Sequence, residues 1–227
     1  MENTIPKSVS DTLYPLYGDF MSDSYKTLAG EACDEYIVKH SRFIGYAKPV
    51  KTEKEAIDYI NEISKKHWDA KHNVYAYSIR ENGVKRYSDD GEPQGTAGMP
   101  VLNVILQEDI TDCVVVVTRY FGGILLGGGG LVRAYTHSAK IGIDAAGIIT
   151  LSKWTVCEIQ CEYTFYGKLE TFIRDFGGVI EKSDFGENVT LEFRIKKGLE
   201  SSFDKRLQDL SNGRISFFRT GEVIAGG

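Results

Sequence analysis

The chain has 227 residues, which is enough for two domains that each bury a hydrophobic core. Its formal net charge of −5 excludes binding to nucleic acid or anionic membranes through overall positive charge, because such binding strengthens with the number of basic contacts. The N-terminus lacks the basic start and apolar core of a secretory signal, and no apolar stretch is free of charge and glycine over the length of a bilayer span. The sequence therefore predicts a cytoplasmic protein with no membrane partner.

The first half of the chain alternates strand and helix patterns. Residues 1–33 show no clear hydrophobic period and are interpreted as an N-terminal arm or short edge elements. A strand is predicted within residues 36–46, and a helix follows from Thr52, which forms a capping-box pattern with Glu55. Residues 74–79 and 84–87 predict two strands of a hairpin, and a short helix is predicted near Pro100. These elements predict a domain over residues 34–149.

A glycine-rich run separates a buried strand from a helix. The four valines at 114–117 lack the alternation of a half-exposed strand, which indicates a central strand covered on both faces. Six glycines follow between residues 122 and 130. The next residues have helical spacing, and the packed face is predicted to carry Leu131, Ala134, Tyr135, Ser138, Ile141 and Ala145.

The last third of the chain predicts a second domain over residues 150–227. A strand pattern leads to a helix with apolar residues on one face, then to two strands, a further helix and a last strand. The order βαββαβ predicts an antiparallel sheet with two helices on one face, the ferredoxin-like plan. The four cysteines are scattered and predict reduced core residues rather than disulfides.

The glycine-rich run is a candidate anion-binding site. A helix that begins at Gly127, Gly128, Gly129 and Gly130 leaves unpaired backbone N–H groups at the positive end of its dipole. Arg119 ends the preceding strand, and a basic stripe follows along the helix at Arg133, His137 and Lys140. Phosphate or carboxylate is the expected ligand. A tight turn that packs the helix on the sheet, with solvated basic residues, explains the same pattern equally well.

An acidic loop precedes this run. Asp89, Asp90 and Glu92 lie within four residues, and with His72 they could hold a hard metal ion, although the spacing is not that of an EF-hand. We favour a structural interpretation, in which these acids pair with basic side chains across the fold and order the glycine loop. The candidate partners are Arg119, Arg133, Lys85 and Arg86.

Catalysis has little support in the sequence. The chain contains no Walker A motif, no GxGxxG spacing and no nucleophile beside a suitably placed base, so no catalytic residue and no cofactor is assigned, and a non-catalytic role is favoured. Aromatic residues beside basic ones can stack on bases while the cations contact phosphates. Tyr120 and Arg133 are the best candidates for such exposed contacts.

The same residues carry a family resemblance. Residues 118–135, TRYFGGILLGGGGLVRAY, and residues 88–102, SDDGEPQGTAGMPVL, closely resemble the YigZ/IMPACT family, and the resemblance extends to SRFIG at 41–45 and DAKH at 69–72. It implies an α+β fold of two domains. The first is an IMPACT-type α/β sandwich, a mixed sheet with helices packed on it, and the second is a ferredoxin-like domain similar to one in elongation factor G.

The resemblance also implies a function. Members are connected to the regulation of translation, so we expect binding to RNA or the ribosome through the glycine loop and basic stripe, with the second domain contacting a larger assembly or another protein. Eukaryotic relatives act through an additional partner-binding domain, and their mechanism is not carried over. Two alternatives stay open: an enzyme or sensor for a small phosphorylated ligand at the same loop, and a protein-interaction module without a ligand.

Overall fold

A computed structural model describes residues 24–226, so the first 23 residues of the predicted arm lie outside the described part of the chain. Within it the chain forms five helices: α1 (Glu53–Lys66), α2 (Gly98–Gln107), α3 (Gly128–Ala146), α4 (Tyr163–Asp175) and α5 (Glu200–Ser211). The ten strands are β1 (Ser24–Leu28), β2 (Ala32–Val38), β3 (Ser41–Pro49), β4 (His72–Ile79), β5 (Val84–Ser88), β6 (Cys113–Tyr120), β7 (Ile148–Cys161), β8 (Val179–Phe185), β9 (Val189–Lys196) and β10 (Phe217–Gly226).

The predicted α+β fold with two domains is confirmed, with one correction to the first sheet. Its strand order is β2-β3-β6-β4-β5, and every pair in it is antiparallel, whereas a mixed sheet was expected. The four valines do lie in the central strand β6 and are fully buried. Their continuous apolar pattern arises because helices cover both faces of an antiparallel sheet, an arrangement that the pattern alone does not separate from a parallel one.

Helix α1 covers one face of this sheet. Its N-cap is Thr52, whose side chain accepts a hydrogen bond from the backbone N–H of Glu55, as the capping pattern predicts. Its buried face consists of Ala56, Tyr59, Ile60 and Ile63, which join a core that includes Val114 and Val116 of β6.

Helices α2 and α3 cover the opposite face, in a core with Val115 and Val117. Two glycines allow α3 to approach the sheet. A Cβ built on Gly45 would lie 1.9 Å from the carbonyl oxygen of Ser138, and one built on Gly142 would lie 2.6 Å from the carbonyl oxygen of Gly45. The helix therefore lies against strand β3 at backbone contact, which only glycine permits at these positions.

The packed face of α3 differs from the prediction in its second half. Leu131, Ala134, Tyr135 and Ser138 are buried as expected, but Ala145 is exposed and Ile141 is half-buried. The face continues instead through Ala139, Gly142, Ile143 and Ala146, with Gly142 packed against the backbone of Gly45.

The second sheet has the order β10-β7-β9-β8, all antiparallel, which is the strand order of the predicted ferredoxin-like plan. Its core contains buried residues of α4 and α5, among them Leu169 and Phe203. Strand β1 pairs with the first residues of β7 and so extends this sheet, while Leu28 at its end is buried in the core of the first domain. Residues 24–28 thus tie the two sheets together.

Candidate functional site

The two long sequence motifs meet at one edge of the first sheet. Arg119 at the end of β6 pairs in register with His72 at the start of β4. The acidic loop after β5 lies over this pair, since a Cβ on Gly91 would lie 3.7 Å from the ring of His72. The N-terminus of α3 lies beside the same loop, because a Cβ on Gly128 would be 3.9 Å from the methyl group of Thr96. Residues as far apart along the chain as His72 and Gly128 therefore border one region.

A buried ion pair lies beneath this region. The Nη1 group of Arg119 donates to Oε1 of Glu92, and the two side chains are only 6% and 4% exposed. The hydroxyl group of Tyr135 donates to the same oxygen at 2.8 Å, and Nε2 of His72 lies 3.8 Å from it. Arg119 is therefore held inside the protein by a carboxylate and is not placed on the surface for an external phosphate. Of the structural pairings considered from the sequence, this is the one that forms.

Tyr135 keeps its proton in this environment. Burial raises the pKa of its hydroxyl group well above the usual range, and the negative charge of Glu92 raises the pKa further. Arg119 acts in the opposite direction with a smaller effect. The hydroxyl group is therefore a hydrogen-bond donor to Glu92 at physiological pH.

The other two acids of the loop bind backbone N–H groups. The carboxylate of Asp89 accepts hydrogen bonds from Gly95 at 2.9 Å, Ala97 at 3.1 Å and Gly98 at 2.8 Å, so it caps the N-terminus of α2 from outside the helix. The carboxylate of Asp90 accepts from the backbone N–H of Asn73 at 2.6 Å.

The geometry around Asp90 also explains the position of His72. Asp90 has a left-handed backbone, with φ 43°, and its carbonyl oxygen accepts from Nδ1 of His72 at 2.6 Å. Among residues 24–226 no group of three or more His, Cys, Asp and Glu side chains is placed to hold a metal ion. The three residues considered as metal ligands, Asp89, Asp90 and His72, thus serve to order the acidic loop in this structure.

The glycines at the start of α3 are open to solvent. Gly127 is the N-cap residue with φ 72°, and within residues 24–226 no side chain caps the helix. Gly128, Gly129 and Gly130 form the first turn, where backbone N–H groups have no partner within the helix, and Gly127 to Gly129 are exposed. A helix of 19 residues adds the positive end of its dipole at this point.

The three residues of the basic stripe on α3 lie in three different environments. Arg133 is exposed, forms no ion pair with any residue in 24–226, and its Nη1 would lie 3.9 Å from a Cβ on Gly129. His137 packs against Tyr36, with ring centroids 4.4 Å apart. Lys140 pairs with Asp144 and also with Glu108 at 3.5 Å. Only Arg133 combines exposure, the absence of a described ion pair and proximity to the glycines.

Tyr120 lies on the other face of the sheet from Arg119, since neighbouring residues of a strand point in opposite directions. Its hydroxyl group donates to Asp69 at 3.1 Å and lies 2.9 Å from Nδ1 of His67, whose Nε2 lies 2.7 Å from the hydroxyl group of Tyr46. Sequence reasoning missed this cluster because His67 carries no spacing signal of its own. The structure does not bring Tyr120 to the glycine loop.

The loop between β6 and α3 exposes large apolar side chains. Phe121 is 48% exposed and Leu125 is 81% exposed. The ring centroid of Phe121 lies 5.6 Å from the guanidinium carbon of Arg119, so the aromatic side chain covers the buried ion pair from outside. The sequence pointed to Tyr120 as the aromatic residue for exposed contacts, whereas the more exposed aromatic side chain of this loop is that of Phe121.

Comparison with known proteins identifies the family of the chain. The model of the Impact N-terminal domain matches residues 39–143, and that of a domain of unknown function, DUF1949, matches residues 159–214. The IMPACT family member YvyE of Bacillus subtilis is 38% identical over 204 residues, covering 89% of this chain and 94% of that protein. The chain belongs to the IMPACT family.

Other relatives agree with this assignment. The IMPACT family member YigZ of Escherichia coli is 31% identical over 181 residues, 78% of this chain and 89% of YigZ. The crystal structure of a hypothetical protein is similar with a TM-score of 0.57 and 28% identity, over 88% of this chain and 98% of that one. The Impact N-terminal match spans both long motifs, 88–102 and 118–135, so the region built by the acidic loop and the glycines lies within the family domain. No helix in residues 24–226 has the length and apolar character to cross a membrane.

Proposed function

We propose that this IMPACT-family chain acts in translation by binding RNA, free or in the ribosome, through a surface at the start of α3. This glycine surface consists of Gly127–Gly130, Arg133 and Phe121. The observation that carries the proposal is the uncapped glycine N-terminus of α3 with the exposed Arg133 beside it, which has no ion pair among the described residues.

Three kinds of contact support this assignment. Backbone N–H groups at a helix N-terminus donate to phosphate oxygens, and the absence of side chains at four successive positions lets a sugar-phosphate backbone come close. Arg133 supplies a positive charge that matches phosphate geometry. Phe121 offers an exposed ring on which a base of single-stranded RNA can stack.

The overall charge of −5 makes the position of these contacts important. Because the chain is acidic, RNA is repelled from most of its surface, and binding requires a local set of donors. The buried pair of Arg119 and Glu92 contributes by position: it anchors the end of β6 to the acidic loop and so holds the glycines beside that loop. In the proposed function the second domain orients the chain on a larger assembly.

Binding to a fluorescently labelled single-stranded oligoribonucleotide tests the proposal. We expect Arg133→Ala to weaken binding about tenfold, because it removes a charge-assisted contact to phosphate. The matched control is Lys65→Ala, which removes an exposed positive charge from the last turn of α1, across the sheet from α3. We expect it to leave the affinity within about twofold of the unchanged chain.

Equal weakening by Arg133→Ala and Lys65→Ala would contradict the proposal, because it would mean that only general charge matters. A thermal-shift screen separates the small-ligand alternative. If a phosphorylated metabolite raises the melting temperature and displaces the oligoribonucleotide at micromolar concentration, the surface is a metabolite site rather than an RNA site.

A further inference from the structure

Strand β10 forms an outer edge of the second sheet. It pairs with β7 along one side, and no strand in residues 24–226 pairs with its other side. The strand has ten residues, and Phe218 to Ile224 are all exposed. A long exposed edge carries a row of unpaired backbone donors and acceptors, which makes it a template for a further strand.

The edge is also apolar on both faces of the sheet. Phe218 is 69% exposed, Val223 is 39% exposed and Ile224 is 43% exposed. Proteins usually protect such an edge with charged residues or proline or by covering it, and large apolar side chains are unusual there. The exposed apolar side chains of this edge therefore indicate that a partner covers them.

A β-bulge sets which residues share a face. Within the pairing with β7, the register shifts between Arg219 and Gly221, so that Phe218 faces Glu158 and Val223 faces Trp154. Glu158 and Trp154 are an even number of residues apart in β7, so Phe218 and Val223 lie on the same face. By the same argument Arg219 and Glu222, opposite Cys157 and Thr155, lie together on the other face.

The strand is self-complementary when a second copy is placed antiparallel to it about an axis between Thr220 and Gly221. Three pairs then lie opposite one another, each formed twice: Phe217 with Ile224, Phe218 with Val223, and Arg219 with Glu222. The members of the second and third pairs lie on the same face by the register above, as opposed residues must in an antiparallel ladder. Any shift by one residue on either copy would place Arg219 opposite an apolar or uncharged residue.

We propose that the β10 edge binds a second copy of this chain, joining the two ferredoxin-like sheets into one continuous sheet across a two-fold axis. Apolar side chains meet at both ends of the paired segment, and opposite charges meet nearer the axis, so the self-pairing register satisfies both. Glu222 also binds Lys197 of its own chain at 2.8 Å, but its side chain is 57% exposed and keeps room for a second positive partner.

The interface consists of one strand from each copy, so the dimer is expected to be weak. Interfaces below the standard size usually belong to transient associations, and we expect a dissociation constant on the order of 10 µM. Sedimentation velocity over a concentration series should show the mass rising from 25.3 kDa toward twice that value.

Two charge reversals make the register testable. Arg219→Glu places two acidic pairs across the axis, and Glu222→Arg places two basic pairs, so each variant alone should dimerise at least about tenfold more weakly. Mixing the two variants restores an opposite-charge pair at both positions. We therefore expect a heterodimer that forms with nearly the affinity of the unchanged chain, although each variant alone dimerises much more weakly.

Rescue by mixing requires both variants to be folded, so it separates a lost contact from a lost fold. Thermal melting of each variant alone provides the second check. A chain that stays monomeric up to about 200 µM would overturn the proposal, since that is far above the expected dissociation constant. Variants that dimerise as well as the unchanged chain, or folded variants whose mixture stays monomeric, would overturn it as well.

Discussion

Glu92 is the residue on which the candidate site depends most, because of the contacts that its carboxylate makes. It accepts hydrogen bonds from Arg119 and from Tyr135 while only 4% exposed, so three elements of the chain meet at one oxygen atom. A buried charge without its partner is costly, because neither water nor another ion compensates for it. The pair therefore holds the end of β6, the acidic loop and α3 in one arrangement.

Glu92→Gln should destabilise the protein by about 3–5 kcal/mol, because it keeps the size of the side chain and leaves the Arg119 charge buried and unpaired. Urea unfolding followed by circular dichroism measures this change. Glu81→Gln is the matched control, since Glu81 is exposed in a turn, and we expect it to change the free energy of unfolding by less than about 0.5 kcal/mol. Similar small effects of both substitutions would show that Arg119 does not depend on Glu92.

A second residue, His67, gives the fold a dependence on pH. The hydroxyl group of Tyr120 donates to Asp69, so it accepts from Nδ1–H of His67, while Nε2 accepts from Tyr46. This arrangement requires the neutral ring. Burial lowers the pKa of His67 below its ordinary value of 6.5, and the positive charges of Lys66 and Arg42 lower the pKa further, against a smaller opposite effect of Asp69.

We expect the stability from this site to be fully present above pH 6.5 and to be lost as the pH falls toward the lower pKa of the folded state, because the unfolded chain then binds the proton more tightly. The melting temperature should therefore fall between pH 7.5 and about pH 5 by more in the unchanged chain than in His67→Gln. The other three histidines are present in both the unchanged chain and the His67→Gln variant, so their titration does not contribute to the difference. An equal fall in both would show that His67 does not titrate differently on folding.

At the scale of single elements, α3 shows two uses of glycine. At its start Gly128 and Gly129 are exposed, and a Cβ there would meet no atom of residues 24–226 closer than 3.9 Å, so packing within this part of the chain does not demand glycine at these positions. Farther along, Gly142 is buried against the backbone of Gly45. The first use fits a surface that a ligand approaches, and the second is a packing requirement.

Replacing two helical glycines by alanine should distinguish a glycine that close packing requires from one that only lowers helix propensity. Gly142→Ala should destabilise the protein by about 1–3 kcal/mol or more, because its Cβ would lie 2.6 Å from a backbone oxygen. Gly167→Ala, in α4, should instead stabilise the protein by about 0.5–1 kcal/mol, since no atom of the described residues lies within 4 Å of the added Cβ and alanine favours a helix. Thermal unfolding of both variants measures the difference, and a change of the same sign in both would refute the packing of α3 on β3.

The local elements could be predicted where short-range chemistry determines them. Thr52 caps α1 by a contact three residues away, and the strands that end at Ile79 and begin at Val84 follow from the turn between them. The second half of α3 was predicted less well, because its packed face depends on Gly45 of a distant strand. Periodicity alone does not contain that contact.

At the scale of the whole molecule, the order of elements was sufficient to predict the second domain, since βαββαβ leads to the observed strand order. The first sheet was expected to be mixed and is antiparallel. The prediction failed because burial on both faces of a strand shows only that helices cover both faces of the sheet, and it does not show the direction of the neighbouring strands. The site could be predicted only as a region. The ion pair of Arg119 with Glu92 and the separation of Arg119 from Tyr120 depend on which helix covers which face, and this is a property of the assembled fold.

The central claim is that RNA contacts the start of α3, and the most direct measurement is the change in backbone amide chemical shifts when an isotope-labelled chain is titrated with a single-stranded oligoribonucleotide. We predict that the N–H signals of Gly128, Gly129 and Gly130 shift and saturate together with that of Arg133, because these groups would contact phosphate. Gly177 and Gly178, which follow the end of α4 in the second domain, serve as internal controls and should not shift to the same extent. Unchanged signals of the α3 glycines at saturating RNA, with shifts only elsewhere, would contradict the claim.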